Sequence, residues 1–226
     1  KCFEGYTVIE LANVLAGPAV GMFFAELGAD VIKIENITTN GDMTRKWKLP
    51  SENKNTNISA YYCSVNWNKQ VQFLNLKKKN DQKIVHDLIA KADILISNYK
   101  PGKAEDLRMD YSTLSTINPQ IIYAHISGFG EESSRAAFDV VLQAETGFMS
   151  MNGQPDGPPT KMPVALIDVL AAHQLKEGIL VGLLHRSKTG RGSYISSSLY
   201  NSAIASLANQ ATNWLMANHI PTRLGS

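Results

Sequence analysis

Residues 7–35 read TVIELANVLAGPAVGMFFAELGADVIKIE, and this stretch decides the fold. Thr7–Leu11 is a short apolar run of the length and composition typical of a strand. The dipeptide Gly17-Pro18 then marks a helix start, because proline is favoured at the first helical position. The helix runs to Gly28, a residue that commonly follows a helix C-terminus. Ala29–Glu35 favours a second strand, so the stretch predicts a βαβ unit with parallel strands.

The remainder of the chain repeats this alternation of strand and helix. Further strands are predicted at Val71–Leu76, Asp93–Ser97, Ile121–Ile126, Met162–Ile167 and Ser193–Ser197. Helices are predicted at Asp81–Lys91, at Asp139–Ser150, from Val169 to near His185, and at Leu199–Asn218. The polar, weakly periodic segment Asn36–Asn68 predicts a long loop, and long ordered loops are often functional. The pattern predicts an α/β fold with a Rossmann-like parallel sheet and flanking helices.

Composition bounds the class of protein. With 226 residues, 44% of them hydrophobic and 19% charged, we expect an ordinary soluble globular chain with a substantial core. A net charge of +2 implies neither a nucleic-acid partner nor a membrane surface. Cys2 and Cys63 are too few for a disulfide framework or a cysteine-based metal site, and the histidines lack ligand spacing, so no metal is predicted.

The cysteine usage fits a reducing compartment, and we expect a cytoplasmic location, with an organelle matrix as the alternative. The sequence shows no signal-peptide architecture and no long uncharged apolar run, so neither export nor membrane insertion is predicted. The chain begins at Lys1 and ends in PTRLGS, and neither end resembles a natural terminus. We therefore expect it to be part of a longer protein.

The stretch KMPVALIDVLAAHQLK, residues 161–176, contains the principal candidate for a reactive group. Asp168 is predicted at the junction of the strand Met162–Ile167 and the following helix, in the N-cap position. A carboxylate there can accept backbone N–H bonds and lies at the positive end of the helix dipole, so we expect it to stay ionised. Such a carboxylate can act as a nucleophile. On spacing alone, capping the helix is the more common role.

Nucleotide and hydrolase motifs give no competing site. Gly17 and Glu35 are placed as in a dinucleotide-binding unit, but the turn AGPAVG (residues 16–21) lacks the G-x-G-x-x-G fingerprint, so no NAD site is predicted. The chain also lacks a P-loop and a G-x-S-x-G elbow. The triplet Lys77–Lys79 is of a kind that is usually solvated, although lysines can also contact phosphate oxygens.

A series of short motifs occurs in a specific order and spacing along essentially the whole chain. The motifs are Val14–Pro18, Leu27–Glu35, Gly41–Arg45, Asn98–Gly102, Asn118-Pro119, Ser127–Gly130, Asp139 with Gln143-Ala144, Asp156–Pro159, Asp168 and Lys188–Gly192. Each is weak alone, but together they resemble the class III coenzyme A transferases, also called the carnitine dehydratase/formyl-CoA transferase family. The resemblance implies the N-terminal part of an interlocked-dimer CoA-transferase fold. It implies a Rossmann-like large domain over residues 1–198, and a long helix over residues 199–226 that leads towards a small domain absent here.

The resemblance implies that Asp168 is the catalytic aspartate. In the family this residue attacks an acyl-CoA thioester, which gives an acyl–aspartyl anhydride and then an aspartyl-CoA intermediate. The partners implied are acyl-CoA and a small carboxylic acid, with coenzyme A as substrate and no tightly bound cofactor. The family pattern places coenzyme A against Leu15, Ala16, Asn36, Leu74, Lys77, Asn98, Tyr99 and Lys100. Without the resemblance, Leu74 is a core residue, Tyr99 a packing residue and Lys77 a solvated charge.

The sequence departs from the family pattern at positions that contact phosphate. Asp106 stands where a basic residue is frequent, Asn36 where arginine is common, and Ala136 where a basic residue can occur beside Arg135. Phosphate contacts are therefore expected to be rearranged or weaker. Family members are also longer, continue into a small domain with a glycine-rich loop, and form interlocked homodimers.

Two alternatives to CoA transfer remain on the same fold. A non-catalytic CoA-binding or structural relative is disfavoured because Asp168 is present. An α-methylacyl-CoA racemase needs proton-transfer groups on both faces of the acidic carbon, and such relatives have a histidine immediately before the residue matching Asp139. Phe138 stands there, and a phenyl ring has no titratable proton. The residues therefore favour CoA transfer, but they identify neither the donor nor the acceptor acid.

Overall fold

The computed structural model of this protein describes residues 1–225. The strands are β1 (Thr7–Glu10), β2 (Asp30–Asn36), β3 (Gln70–Leu74), β4 (Ile94–Ser97), β5 (Ile122–Ser127) and β6 (Ser193–Ser198). The helices are α1 (Ala16–Glu26), α2 (Ala60–Cys63), α3 (Lys79–Ile89), α4 (Lys103–Asp106), α5 (Tyr111–Ile117), α6 (Asp139–Glu145), α7 (Phe148–Met151), α8 (Leu166–Thr189), α9 (Leu199–Ser206) and α10 (Asn209–Ala217). Within these residues no helix combines the length and the apolar character needed to cross a membrane.

The strands form one six-stranded sheet in the order β3-β2-β1-β4-β5-β6, and every neighbouring pair is parallel. The Rossmann-like α/β sheet predicted from the sequence is therefore confirmed. The strand order reverses direction between β1 and β4. Ligands of such sheets bind outside the carboxyl ends of the strands at this switch point.

Both faces of the sheet are covered by helices. Val8 of β1 lies in an apolar core with Phe24 of α1 and Leu175 of α8. Ile9, the next residue, points to the opposite core and lies there with Ile89 of α3. Successive strand side chains point to opposite faces, so β1 contributes fully buried residues to both layers.

The predicted strand Met162–Ile167 is wrong. The segment is irregular as far as Ala165, and α8 begins at Leu166. Its backbone bonds to side chains of α6 and not to a strand: the Met162 N–H donates to Gln143 Oε1 (2.8 Å) and Gln143 Nε2 donates to the Val164 carbonyl (3.2 Å). The place beside β5 is taken by β6. Asp168 is consequently the third residue of α8, and Ala165 is the N-cap residue.

Other element boundaries also differ from those predicted. The helix predicted at Asp139–Ser150 divides at Gly147, where φ is +88°. The helix predicted at Leu199–Asn218 divides at Ala208, whose φ is +46°. Helix α8 continues past His185 to Thr189 and ends at Gly190 in the left-handed conformation. The loop Asn36–Asn68 contains α2 and the 3-10 helices Ile37–Thr39 and Met43–Lys46.

Candidate active site

The loops that follow β1 and β4 are joined to each other at the switch point. The Asn13 N–H donates to Asn98 Oδ1 (3.1 Å), and Asn98 Nδ2 donates to the Asn13 carbonyl (2.9 Å). The Asn98 amide thus engages both of its polar atoms on the neighbouring loop. It holds together two of the segments from which the site is built.

Two adjoining pockets lie along this edge of the sheet and contain all the site residues predicted above. A pocket of about 140 Å³ is lined by Leu15, Ala16, Asn98, Tyr99, Lys100 and Asp168, among others. A pocket of about 480 Å³ is lined by Asn36, Leu74, Lys77 and Tyr99, among others. Asn13 and Tyr99 line both, so the pockets form adjacent parts of one groove. The carboxyl edge of the sheet therefore brings residues from distant parts of the chain into one place.

Lysine side chains line the groove, most of them in its larger pocket. Lys46, Lys77 and Lys103 line the larger pocket, whereas Lys100 lines the smaller one. Asp106 stands at a position that is frequently basic in the family. It lines the open space next to Lys100 and Lys103, beside the groove. Ammonium groups suit phosphate oxygens. Within residues 1–225 no three acidic, histidine or cysteine side chains are grouped as metal ligands.

The Asp168 side chain is buried in the wall of the smaller pocket, with 8% of its surface exposed. No group within residues 1–225 donates a hydrogen bond to its carboxylate, although it lies in the first turn of α8. Burial and the nearby negative charge of Asp139 raise its pKa from 3.8 to about 7. The expectation that Asp168 stays ionised because it caps the helix is wrong, since it neither occupies the N-cap position nor accepts the N–H bonds.

Asp139, the first residue of α6, takes the N–H groups that a capping residue would bind. Its Oδ1 accepts from the N–H groups of Ile167 (2.6 Å) and Asp168 (3.3 Å). Its Oδ2 accepts from Gln143 Nε2 (2.6 Å). The four-residue spacing of Asp139 and Gln143 on one helical face was visible in the sequence, but their target, a segment 19 to 29 residues away, was not.

A buried ion cluster supports the turn that lines the smaller pocket. Lys33 Nζ lies 2.8 Å from Glu10 Oε1 and 3.2 Å from Asp42 Oδ2, with all three side chains buried. Asp42 Oδ2 in turn accepts the Val14 N–H at 3.2 Å. Val14 has a φ of +72°, which is strained for a β-branched residue, and it directly precedes Leu15. The cluster therefore fixes a strained turn at the edge of the pocket, and sequence reasoning missed it.

A second buried pair anchors the long loop to the end of β2. Arg45 donates from Nε and Nη2 to Glu35 (2.6 and 2.8 Å), and the Tyr62 hydroxyl donates to Glu35 Oε1 (2.8 Å). Although burial opposes ionisation, these bonds keep the pKa of Glu35 below its usual value. Gly41 is required beside this pair, because its φ is +93° and a Cβ would lie 2.1 Å from Glu35 Oε2. The pairing with Arg45 therefore explains why a glutamate stands at the end of β2, and no bound nucleotide is needed to explain it.

The chain matches a family model described as CoA-transferase family III over residues 3–226. Succinate–glutarate CoA-transferase from Agrobacterium fabrum is 38% identical over 99% of this chain and 57% of its own length. Succinyl-CoA:glutarate CoA-transferase from Mus musculus is 37% identical over the whole of this chain and 52% of its own length. A crystal structure of a CAIB/BAIF family protein from Brucella suis superposes with a TM-score of 0.92 at 37% identity, covering 98% of this chain and 59% of that one. The chain therefore spans little more than half the length of these relatives.

Proposed function

The chain belongs to CoA-transferase family III, and we propose that its protein transfers coenzyme A from an acyl-CoA to a carboxylic acid through Asp168. The observation that carries this proposal is the position of a buried carboxylate in the wall of the smaller pocket, at the narrow end of the groove. Lysines line the wide end of the same groove. A long ligand with phosphates at one end and a thioester at the other fits this arrangement.

The first step is attack of an Asp168 carboxylate oxygen on the thioester carbonyl carbon. A carbon–oxygen bond forms, the carbon–sulfur bond breaks, and coenzyme A leaves as the thiolate. The thiolate then attacks the aspartyl carbonyl carbon of the anhydride, which releases the donor carboxylate and leaves an aspartyl thioester. An acceptor carboxylate attacks that thioester and gives a second anhydride and thiolate. Attack of the thiolate on the acceptor acyl carbon yields the new acyl-CoA and restores Asp168.

Each intermediate in this sequence is an anhydride or a thioester. Both retain the activation of the acyl group, so the exchange requires no ATP. A charged carboxylate is unfavourable in a buried position where no group of residues 1–225 donates a hydrogen bond to it. Acylation removes the charge of Asp168, so it removes this unfavourable interaction. The burial of Asp168 supports its role as a covalent nucleophile.

We propose a dicarboxylic acid as the acceptor and coenzyme A phosphates as the ligands of Lys46, Lys77 and Lys103. The acids in the names of the two curated relatives, succinate and glutarate, are dicarboxylic. Leu15, Ala16, Asn98, Tyr99 and Lys100 are proposed to contact the part of coenzyme A that leads to Asp168. Asn36 and Leu74 are proposed to contact the remainder.

The racemase alternative lacks the histidine that such relatives carry immediately before the residue matching Asp139. Phe138 lines the pocket beside Asp168 and presents only a phenyl ring. His125, on β5, lines a different pocket with Glu131 and Tyr194, and burial lowers its pKa. With a 2-methylacyl-CoA in D₂O and no acceptor acid, we expect no rapid deuterium incorporation at the α-carbon. Fast incorporation with loss of stereochemistry would favour the racemase.

An interlocked homodimer and a cytoplasmic location complete the proposal. Leu215 and Met216 of α10 are 78% and 84% exposed, which is unusual for neighbouring apolar side chains and is consistent with burial in a larger assembly. The mass of the full-length protein in solution, measured by light scattering, tests this assignment. A stable monomer at micromolar concentration contradicts it.

The proposed activity is tested with full-length protein, a panel of acyl-CoA donors and a panel of mono- and dicarboxylic acids. We expect transfer from succinyl-CoA to glutarate, and loss of nearly all transfer in Asp168→Ala. Asp168 is not the N-cap residue of α8, so loss of a helix cap does not explain such a result. The matched control is Asp87→Asn, at an exposed position of α3 outside the groove, which should transfer as the wild type does. A folded Asp168→Ala protein with full turnover would refute the proposal.

A further inference from the structure

We propose that Asp139 is a positioning residue that keeps the Asp168 carboxylate reactive in two ways: it takes the backbone N–H groups of the first helical turn, and it holds a fixed negative charge beside Asp168. The inference rests on the proposed role of Asp168 as nucleophile. It concerns a different question: why a carboxylate in the first turn of a helix is not stabilised there.

The first turn of a helix normally stabilises a carboxylate. Its N–H groups lack partners within the helix, and the dipole favours negative charge. In α8 the N–H groups of Ile167 and Asp168 instead donate to Asp139 Oδ1, at 2.6 and 3.3 Å. The N-cap residue, Ala165, has no side chain that can accept a hydrogen bond. The donors nearest to Asp168 are therefore occupied by a residue of another helix.

Asp139 is itself held in place. Gln143, one turn further along α6 and 1% exposed, donates from Nε2 to Asp139 Oδ2 at 2.6 Å. The Oε1 of Gln143 accepts the Met162 N–H at 2.8 Å. Asp139 and Gln143 therefore fasten the chain at both ends of the segment from Met162 to Asp168.

The arrangement has an electrostatic consequence at Asp168. The ionised form is buried, receives no N–H bond from residues 1–225, and lies near a second negative charge. Acylation removes the charge from Asp168 and with it the repulsion from Asp139, so the fixed charge favours the acylated state. Besides Asp139, the charged or titratable groups near Asp168 are Tyr61, in α2, and Tyr99, Lys100 and Arg135, in the wall of the same pocket. Arg135 is engaged with Glu145 and stacks on the Phe129 ring, 3.8 Å from its centroid.

The test measures the ionisation of Asp168 without relying on activity. A water-soluble carbodiimide modifies protonated carboxyl groups, and the tryptic peptide of residues 162–176 contains a single carboxyl side chain, that of Asp168. The extent of modification of this peptide, followed by mass spectrometry across pH in the full-length protein, gives the ionisation midpoint. We expect a midpoint of about 7 in the wild type.

The informative variant is Asp139→Asn, which keeps an oxygen for the Ile167 N–H and removes the charge. We expect the midpoint of Asp168 to fall by roughly one pH unit. A second variant, Asp139→Asn with Gln143→Glu, gives the new amide an acceptor and is used if the single change impairs folding. In that variant the charge is moved one helical turn away, so the midpoint should again fall. Asp87→Asn, at an exposed position of α3, is the control and should leave the midpoint unchanged.

A kinetic readout separates this role from a merely structural one. At about pH 9, where Asp168 is ionised in both proteins, single-turnover acylation by Asp139→Asn should be up to about tenfold slower than in the wild type, the most that one pKa unit can supply. Its KM for acyl-CoA should be unchanged. An Asp168 midpoint that is the same with and without the Asp139 charge would overturn the inference. A wild-type protein that transfers nothing would instead refute the proposed function and leave the midpoint measurement interpretable.

Discussion

Replacing Asp168 by asparagine should stabilise the folded protein above neutral pH while abolishing transfer. The pKa of this carboxyl is raised from 3.8 to about 7 by burial and by Asp139. Between these values the folded protein binds a proton that the unfolded chain has already lost. Stability therefore falls as pH rises through this window, and the loss is complete above the folded pKa. Asparagine has a similar shape but cannot ionise, so it avoids this loss.

The size of the effect follows from the two pKa values. A difference of about three units corresponds to about 4 kcal/mol at 1.36 kcal/mol per unit. The amide of asparagine also has to find partners in the pocket, which offsets part of the gain. We therefore expect Asp168→Asn to raise the free energy of unfolding by about 2 to 4 kcal/mol near pH 8. Near pH 5 the advantage should be less than about half as large.

Urea unfolding of the full-length protein at both pH values measures this difference. Wild type, Asp168→Asn and the exposed control Asp87→Asn are compared at equal protein concentration. The control should show no pH-dependent difference from the wild type. Equal stabilisation of Asp168→Asn at both pH values, or destabilisation at the higher one, would show that the carboxyl is not held at a raised pKa in the folded protein.

Three further predictions concern the surroundings of the site. Arg45→Met leaves Glu35 buried without its partner and should cost about 3 to 5 kcal/mol in the free energy of unfolding, part of which Glu35→Gln should restore in the double variant. Gly21→Ala should cost about 1 to 3 kcal/mol, measured by thermal unfolding, because its Cβ would lie 1.9 Å from Glu10 Oε2; an unchanged melting temperature would contradict this. Lys77→Ala should raise KM for acyl-CoA severalfold at low salt, with less effect at high salt and no change in kcat, and a salt-independent KM would argue against a phosphate contact.

Local sequence patterns predicted most of the sheet because strands such as β1, β4 and β5 contain short apolar runs. The segment Met162–Ile167 shows where this reasoning stops. Its length and apolar character suit a strand, yet its backbone is bound by Gln143 and Asp139, which are distant in the sequence. The break at Ala208 is also invisible locally, because no glycine or proline marks its φ of +46°. Periodicity reports which face is apolar and does not report which distant side chain binds the backbone.

The residues of the candidate site came from the resemblance, and the sheet explains why they meet. Loops after β1 and β4, and the larger pocket beside them, collect residues that are far apart in sequence. The ionisation of Asp168 could not be predicted, because the group that takes the helix N–H bonds lies on α6. The buried cluster had a signal that was missed. Lys33 interrupts an apolar strand of a sheet covered on both faces, and a buried charge in such a place is nearly always paired.

The central claim, that Asp168 carries the acyl group, is tested most directly by trapping the covalent intermediate. Full-length protein is incubated with acyl-CoA, quenched with hydroxylamine and digested with trypsin, and the peptide of residues 162–176 is examined by mass spectrometry. Because Asp168 is the only carboxyl side chain in that peptide, a hydroxamate there identifies the acylated residue without ambiguity. We expect the hydroxamate in the wild type, only when acyl-CoA is present, and none in Asp168→Asn. Full transfer activity with no modification of this peptide would contradict the account.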